Sequence, residues 1–203
     1  MNEKGMLIIF SGPSGAGKDT VLDELRKITD KVNVSVSLTT RAKRDNEIDG
    51  ESYYFVTRDY FERKLGEGGF LEYAEYGGNL YGTPKAPVDE MLSRGKNVIL
   101  KIEVKGAEKI RKLYPDCVSV FVLPPSMKVL EKRLRGRNSD DEEAIQRRIL
   151  IAKEEIRRSV EYDYIVINDK LEDAVSDLLA VINAESFKTS RNKNTISEVI
   201  NND

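Results

Sequence analysis

The sequence predicts an α/β fold, a doubly wound parallel sheet of about five strands, and three observations carry that prediction. Five short β-rich segments are spread along the chain, several of them almost continuously apolar. Helical patterns with a single apolar face lie between or after them. A glycine-rich turn, GPSGAGKDT at residues 12–20, joins the first segment to the first helical pattern.

Taken in order, MLIIFS (6–11) reads as a strand covered on both faces, because no polar residue alternates with the apolar ones until its end. From Lys18 onward Val21, Leu22, Leu25 and Ile28 recur at helical spacing. VNVSVS (32–37) is a second strand. Residues 38–83 then break the alternation. They are rich in Tyr, Gly, Arg and acids, hold one clear helix pattern at 58–65, and read as an inserted subdomain. Val88, Met91 and Leu92 mark a helix closed by Gly95 as its C′ residue. NVILKIE (97–103) follows as a strand with Val98, Leu100 and Ile102 on one face and Ile99, Lys101 and Glu103 on the other. Glu103 thereby ends a strand at the carboxyl edge, where open α/β sheets bind ligands. VSVFVL (118–123) and YIVIN (164–168) complete the set of five.

Between the last two strands, residues 125–163 hold two charged helices separated by RGRNSDDEE, a plausible flap. In the second of these helices Ile145, Ile149, Ala152, Ile156 and Val160 form one stripe. At about 100° per residue, Arg148 falls beside that stripe and Arg147 points away from it. The tail from Phe187 is polar and weakly patterned, and is expected to be peripheral or disordered. The expected organisation is a core of 1–37, 84–124 and 164–185, an insertion at 38–83, a lid region at 125–163 and a tail at 186–203.

The 203 residues are enough for one such domain, and 39% apolar with 33% charged residues fits a globular chain. A net charge of −2 argues against a general nucleic-acid surface, so any basic site is local. The early run MLIIF is far too short to span a membrane and lacks the arrangement of a secretion signal. Cys117 is the single cysteine, which points to a reducing cytoplasm. There is no histidine, which excludes Ser-His and Cys-His nucleophiles and a His-based zinc site.

Residues 12–20 nearly match a phosphate-binding loop, and they sit in the strand–loop–helix context that gives the motif its mechanism. Gly12, Gly15 and Gly17, with Pro13, Ser14 and Ala16 between them, let the backbone curl its N–H groups inward. Lys18 adds a cation, and the helix N-terminus adds partial positive charge. Asp19 stands where a Ser or Thr is usual. An acid in the first helical turn is favoured by a few tenths to about 1 kcal/mol, so an outward-facing Asp19 with Thr20 as the polar contact is the favoured reading. The alternative has Asp19 holding a Mg²⁺-bound water.

Beside this loop, SLTTRAKR (37–44), EGG (67–69) and FLEYAEYGGNLYGT (70–83) occur in order. With them the sequence resembles guanylate kinase, which phosphorylates GMP from ATP, from about residue 7 to residue 183. That resemblance implies a P-loop core, an inserted GMP-binding region and a lid. It implies Ser37 at the guanine, and Arg41, Arg44, Tyr53 and Tyr81 at the GMP phosphate. It places Glu72 and Thr83 at the base, and Glu103 at the guanine or the metal–water shell. Arg137 and Arg148 would clamp the ATP phosphates, and Asn168 would lie at the adenine. The catalytic set so implied is Lys18, Arg41, Arg137 and Arg148, with Mg²⁺ carried by ATP.

The chemistry of the acceptor set is coherent in itself. Guanine offers two adjacent donors, N1–H and the 2-amino group, that a carboxylate accepts as a pair, while hydroxyls on Ser37 and Thr83 can donate to O6. A site built this way rejects the wrong analogue by roughly 10⁴-fold. Each residue also has a plainer reading. Arg41, Lys43 and Arg44 could be a solvated charge run, Tyr53 and Tyr81 ordinary half-buried aromatics, and Glu72 the solvent-facing member of an alternating strand. Asn168 could simply form a turn, and Arg133, Arg135 and Arg147 read as surface charges. Lys101 departs from the family, whose members usually carry an acid there, and a pair with Glu103 is one expectation for it. Lys105 likewise replaces a common Gln. Two other functions stay open at this point: a related kinase with a different acceptor, and a phosphopeptide-binding scaffold domain of the guanylate-kinase-like type.

Overall fold

The computed structural model describes residues 4–45, 47–136 and 141–201. In chain order, β1 (Leu7–Ser11) leads into α1 (Lys18–Ile28), and β2 (Val32–Val34) follows. An excursion then carries β3 (Leu38–Thr39), β4 (Tyr54–Phe55), α2 (Arg58–Gly66), β5 (Phe70–Tyr76) and β6 (Asn79–Pro84). The chain returns through α3 (Lys85–Ser93), β7 (Asn97–Lys101), α4 (Val104–Leu113) and β8 (Val118–Leu123). It goes on with α5 (Met127–Arg135), α6 (Glu142–Arg157), β9 (Tyr164–Ile167), α7 (Leu171–Ser186) and α8 (Lys193–Asn201).

The five apolar segments form one sheet in the order β2-β7-β1-β8-β9, with every neighbouring pair parallel. Period-two alternation in β1 explains its two-sided burial. Ile8 and Phe10 face α1 and α7 with Val21, Leu22, Leu25, Leu178 and Ile182, whereas Leu7 and Ile9 face α3 and α4 with Val88, Leu92, Ala107 and Ile110. The strand order reverses beside β1, and the carboxyl ends there open a crevice.

A second sheet, β4-β3-β6-β5, grows from the edge of this crevice. Its β5–β6 hairpin is closed by Gly77 and Gly78, both at positive φ (58° and 76°), the conformation a two-residue hairpin turn needs. Phe61 of α2 stacks on Phe70 at 4.4 Å between centroids and, with Leu38 and Leu80, fills a small core of its own. A further cluster of Leu130, Leu134, Ile145, Ile149 and Ala152 packs α5 against α6.

Several elements differ from the sequence expectation, among them β7, which ends at Lys101 rather than Glu103, and α1, whose Ile28 is exposed. β2 stops at Val34 because, after Ser35 N–H donates to Ile99 O at 2.9 Å, the chain turns toward the second sheet. The α6 stripe loses Val160, since residues 158–161 wind as a 3-10 turn and rotate that side chain to 85% exposure. The tail is peripheral but helical: α8 carries no buried residue. Among the described residues, no helix is long and apolar enough to cross a membrane.

Candidate active site

The glycine turn runs from the end of β1 to the start of α1, and its shape depends on residues without a Cβ. Gly12, Gly15 and Gly17 adopt φ of 151°, 89° and 91°. At Gly17 a Cβ would also come within 2.2 Å of Asn168 Nδ2. That contact exists because Asn168, buried at the end of β9, donates its amide to Ala16 O at 2.8 Å. Lys18 Nζ lies back against the turn, donating to Gly12 O at 2.6 Å and Pro13 O at 3.1 Å. Burial holds this ammonium below the ordinary lysine pKa, with Glu103, Glu155 and Asp19 pulling the other way.

Among the described residues, two arginines of the 125–163 region reach the turn. Arg148 Nη2 donates to Ser14 Oγ at 2.6 Å, on the protein-facing side that helical geometry assigns it. Arg147 instead pairs with Glu143 at 3.5 Å and stays exposed. Arg133 corrects its surface reading. It lies between Leu130 and Leu134 on α5 and donates to Asn168 O at 2.9 Å and Ala16 O at 3.5 Å. Arg137 lies outside the described residues.

At the mouth of the crevice the carboxylate of Asp19 accepts a hydrogen bond from Lys101 Nζ, with Thr20 exposed beside it. Lys101 therefore does not pair with Glu103. β7 ends at Lys101, and Glu103 becomes the N-cap of α4, so strand alternation no longer carries the two side chains to one side. Glu103 instead lies close to Glu155 of α6. Burial first, and the Glu103 charge second, push the Glu155 carboxyl up to about 7. Among the described residues, no group of three or more His, Cys, Asp or Glu is placed to hold a metal ion.

Across the crevice, Arg41 is held by Glu47 through two bonds, Nη1–Oε2 at 3.0 Å and Nη2–Oε1 at 2.6 Å. The pair is mostly buried, 16% and 14% exposed, and raises the arginine's pKa while lowering the glutamate's. The guanidinium also lies near Tyr81 and 5.7 Å from the centroid of the Tyr53 ring, which is 5.9 Å from that of Tyr81. Arg44 joins through its backbone N–H, which donates to Glu47 Oε2 at 2.9 Å, and its side chain is exposed.

Deeper in the second sheet Glu72 is only 7% exposed and accepts from Thr83 Oγ1 at 2.7 Å. Burial raises its pKa, and the Thr83 bond opposes that rise. Glu72 and Thr83 are cross-strand partners, and extending the β3–β6 register by one residue sets Ser37 opposite Thr83. Gly106 on α4 leaves the space: a Cβ there would lie 2.6 Å from Glu72 Oε2.

The structure thus gathers Arg41, Tyr53 and Tyr81 in one cluster, Glu72 and Thr83 in another with Ser37 in register, and Lys18, Ser14, Arg148 and Asn168 around the turn. Sequence reasoning missed Glu47, Gly106 and Glu155. Only Glu155 had a readable signal, standing seven residues after Arg148 on the same face of α6.

Comparison with known proteins matches residues 4–185 to the family model described as guanylate kinase. The chain is 53% identical over 188 residues to a guanylate kinase of Carboxydothermus hydrogenoformans, covering 93% of this chain and 92% of that protein. It is 50% identical over 192 residues to one from Streptococcus thermophilus, covering 94% and 92%. A solved structure of guanylate kinase from Anaplasma phagocytophilum superposes with a TM-score of 0.77 at 32% identity, covering 94% of this chain and 91% of that one.

Proposed function

This chain belongs to the guanylate kinase family, and from that premise we propose how its residues divide the transfer of the ATP γ-phosphoryl group to GMP. It is an enzyme, a kinase giving ADP and GDP. The glycine turn of residues 12–17 receives the ATP phosphates on its backbone N–H groups at the start of α1. Lys18 swings from the carbonyls of Gly12 and Pro13 onto the phosphates. Arg148 and Arg137 close over them from the lid, and Asn168 supports the turn beside the adenine.

The acceptor phosphate sits against Arg41, Arg44, Tyr53 and Tyr81. Glu47 keeps the Arg41 guanidinium planar to it with two hydrogen bonds. The acceptor is already an anion near neutral pH, because a phosphate monoester has a second pKa of about 6. No general base is required, which suits a chain without histidine. Catalysis is alignment and charge neutralisation.

Mg²⁺ fits the same reading. The Thr20 hydroxyl is a hard oxygen donor at the turn, with Asp19 engaged by Lys101, and a cation held chiefly by phosphate oxygens needs few protein ligands. Bound with ATP, the ion neutralises charge on the phosphates during transfer.

The observation that carries the acceptor assignment is the buried Glu72 carboxylate, bonded on one oxygen by Thr83. A buried acid is costly unless donors meet it, and guanine's N1–H and 2-amino group supply two. Ser37 completes the base contacts, and Glu103 reaches the base or the metal's water. Under this reading residues 38–83 form the GMP-binding subdomain and 125–163 the lid. The core comprises 1–37, 84–124 and 164–185, and the tail at 186–203 is peripheral. dGMP is a second acceptor, and the enzyme serves GMP recycling in the cytoplasm, consistent with Cys117 as the single cysteine. The test is ADP release with ATP and Mg²⁺ against GMP, dGMP, AMP, CMP and UMP. GMP is expected to lead, with AMP slower by about three to four orders of magnitude in kcat/KM. Comparable turnover of AMP overturns the assignment.

A further inference from the structure

An acid in the first turn of α1 presents a conflict of charge. The helix start favours a carboxylate by a few tenths to about 1 kcal/mol, but the same helix start is the receptor for a triphosphate. Asp19 follows Lys18 in the first turn of α1, so its negative charge is carried on the same helix start that would meet the phosphates.

The structure places a second lysine on that charge. Lys101 is the last residue of β7, in register with Phe10 of β1, so it emerges at the sheet edge from which the glycine turn springs. Its Nζ donates to Asp19 Oδ1 and stands 5.3 Å from the centroid of the Tyr53 ring. The side chain is 24% exposed, against 70% for Asp19, so the cation is the better-fixed partner. Cation, carboxylate and cation thus lie in sequence along the rim: Lys18, Asp19, Lys101.

We propose that Lys101 is a positioning residue for ATP: fixed by Tyr53 and the end of β7, it neutralises Asp19 and so keeps the first turn of α1 a receptor for the triphosphate. The inference rests on the reading of the glycine turn as the ATP site. It accounts for the acid where that loop usually has a hydroxyl, and for the lysine one strand away, as two halves of one arrangement.

The test measures binding of a non-hydrolysable ATP analogue with Mg²⁺ by calorimetry at low ionic strength. Lys101→Met is expected to weaken binding about tenfold, and Lys101→Arg, which retains the charge, by less than about threefold. Adding Asp19→Asn to Lys101→Met is expected to restore affinity to within about threefold of wild type, a reversal that general damage to the fold does not produce. The Lys101→Met deficit should shrink as salt rises, because a partly exposed charge is screened. Should Lys101→Met fail to fold, Lys101→Gln carries the same expectation. Wild-type affinity in the Met variant overturns the proposal, and so does a deficit that Asp19→Asn leaves unrepaired, which would mean that Lys101 touches the nucleotide directly. Turnover of GMP by the unaltered enzyme is measured alongside, so that loss of this inference is distinguished from loss of the kinase reading.

Discussion

Glu72 illustrates how single residues can defeat a pattern. Strict alternation along FLEYAE sets it opposite Leu71 and toward solvent, yet both are buried. The pairing of β5 with β6 slips between Phe70 and Glu72, and that irregularity turns the carboxylate inward. Nothing in the local sequence announces the slip, so Glu72 was legible only through the ordered set of motifs around it. Glu47 was less legible still, because an acid in a charged loop looks like any other until it is seen gripping Arg41. At this scale the sharpest expectation concerns base choice. Glu72→Gln puts an amide donor where guanine needs an acceptor, and the ratio of kcat/KM for GMP over AMP is expected to fall by roughly 10²-fold or more in a steady-state assay. An unchanged ratio would remove Glu72 from base recognition.

Elements were more readable than residues, as their periodicities repeat over many positions. The stripe on α6 set Arg148 toward the protein, where it meets the glycine turn, and Arg147 toward water, and only its last member failed, where the helix tightens into a 3-10 turn. Strand alternation in β7 sorted Val98, Leu100 and Ile102 from Ile99 correctly, then misjudged Lys101 and Glu103 because it was extended past the end of the strand. The α6 helix also shows what holds an arginine-bearing element in place. Asp141 caps it, accepting from Ala144 N–H at 2.7 Å, with Glu142 and Glu143 in the first turn. Asp141→Ala is expected to lower stability by about 1 kcal/mol, read as a lower urea midpoint with an unchanged slope.

For the molecule as a whole, five apolar segments and the turn after the first were enough to foresee the parallel sheet and the position of its crevice. What joins the parts is carried by single long-range contacts, whose partners the sequence does not name. Glu155 is one, linking α6 to Glu103, the N-cap of α4. Folded, it holds its proton up to about pH 7, against an ordinary 4.5. The folded state therefore binds more protons between those values, and stability falls as pH rises through that window. Glu155→Gln should flatten this dependence and stabilise the protein above pH 7 by roughly 1–2 kcal/mol, once solvent screening of a partly exposed carboxyl is allowed for. Denaturant melts at pH 5 and pH 8 would reveal it, and parallel curves for the two proteins would refute it. The carbonyl of Ala16 is the other such junction, held by an amide 152 positions further along the chain and by Arg133. A ribosome that has released every glycine of the turn has not yet released the group that braces it. The turn is therefore braced only late in synthesis, once the fifth strand of the sheet has docked.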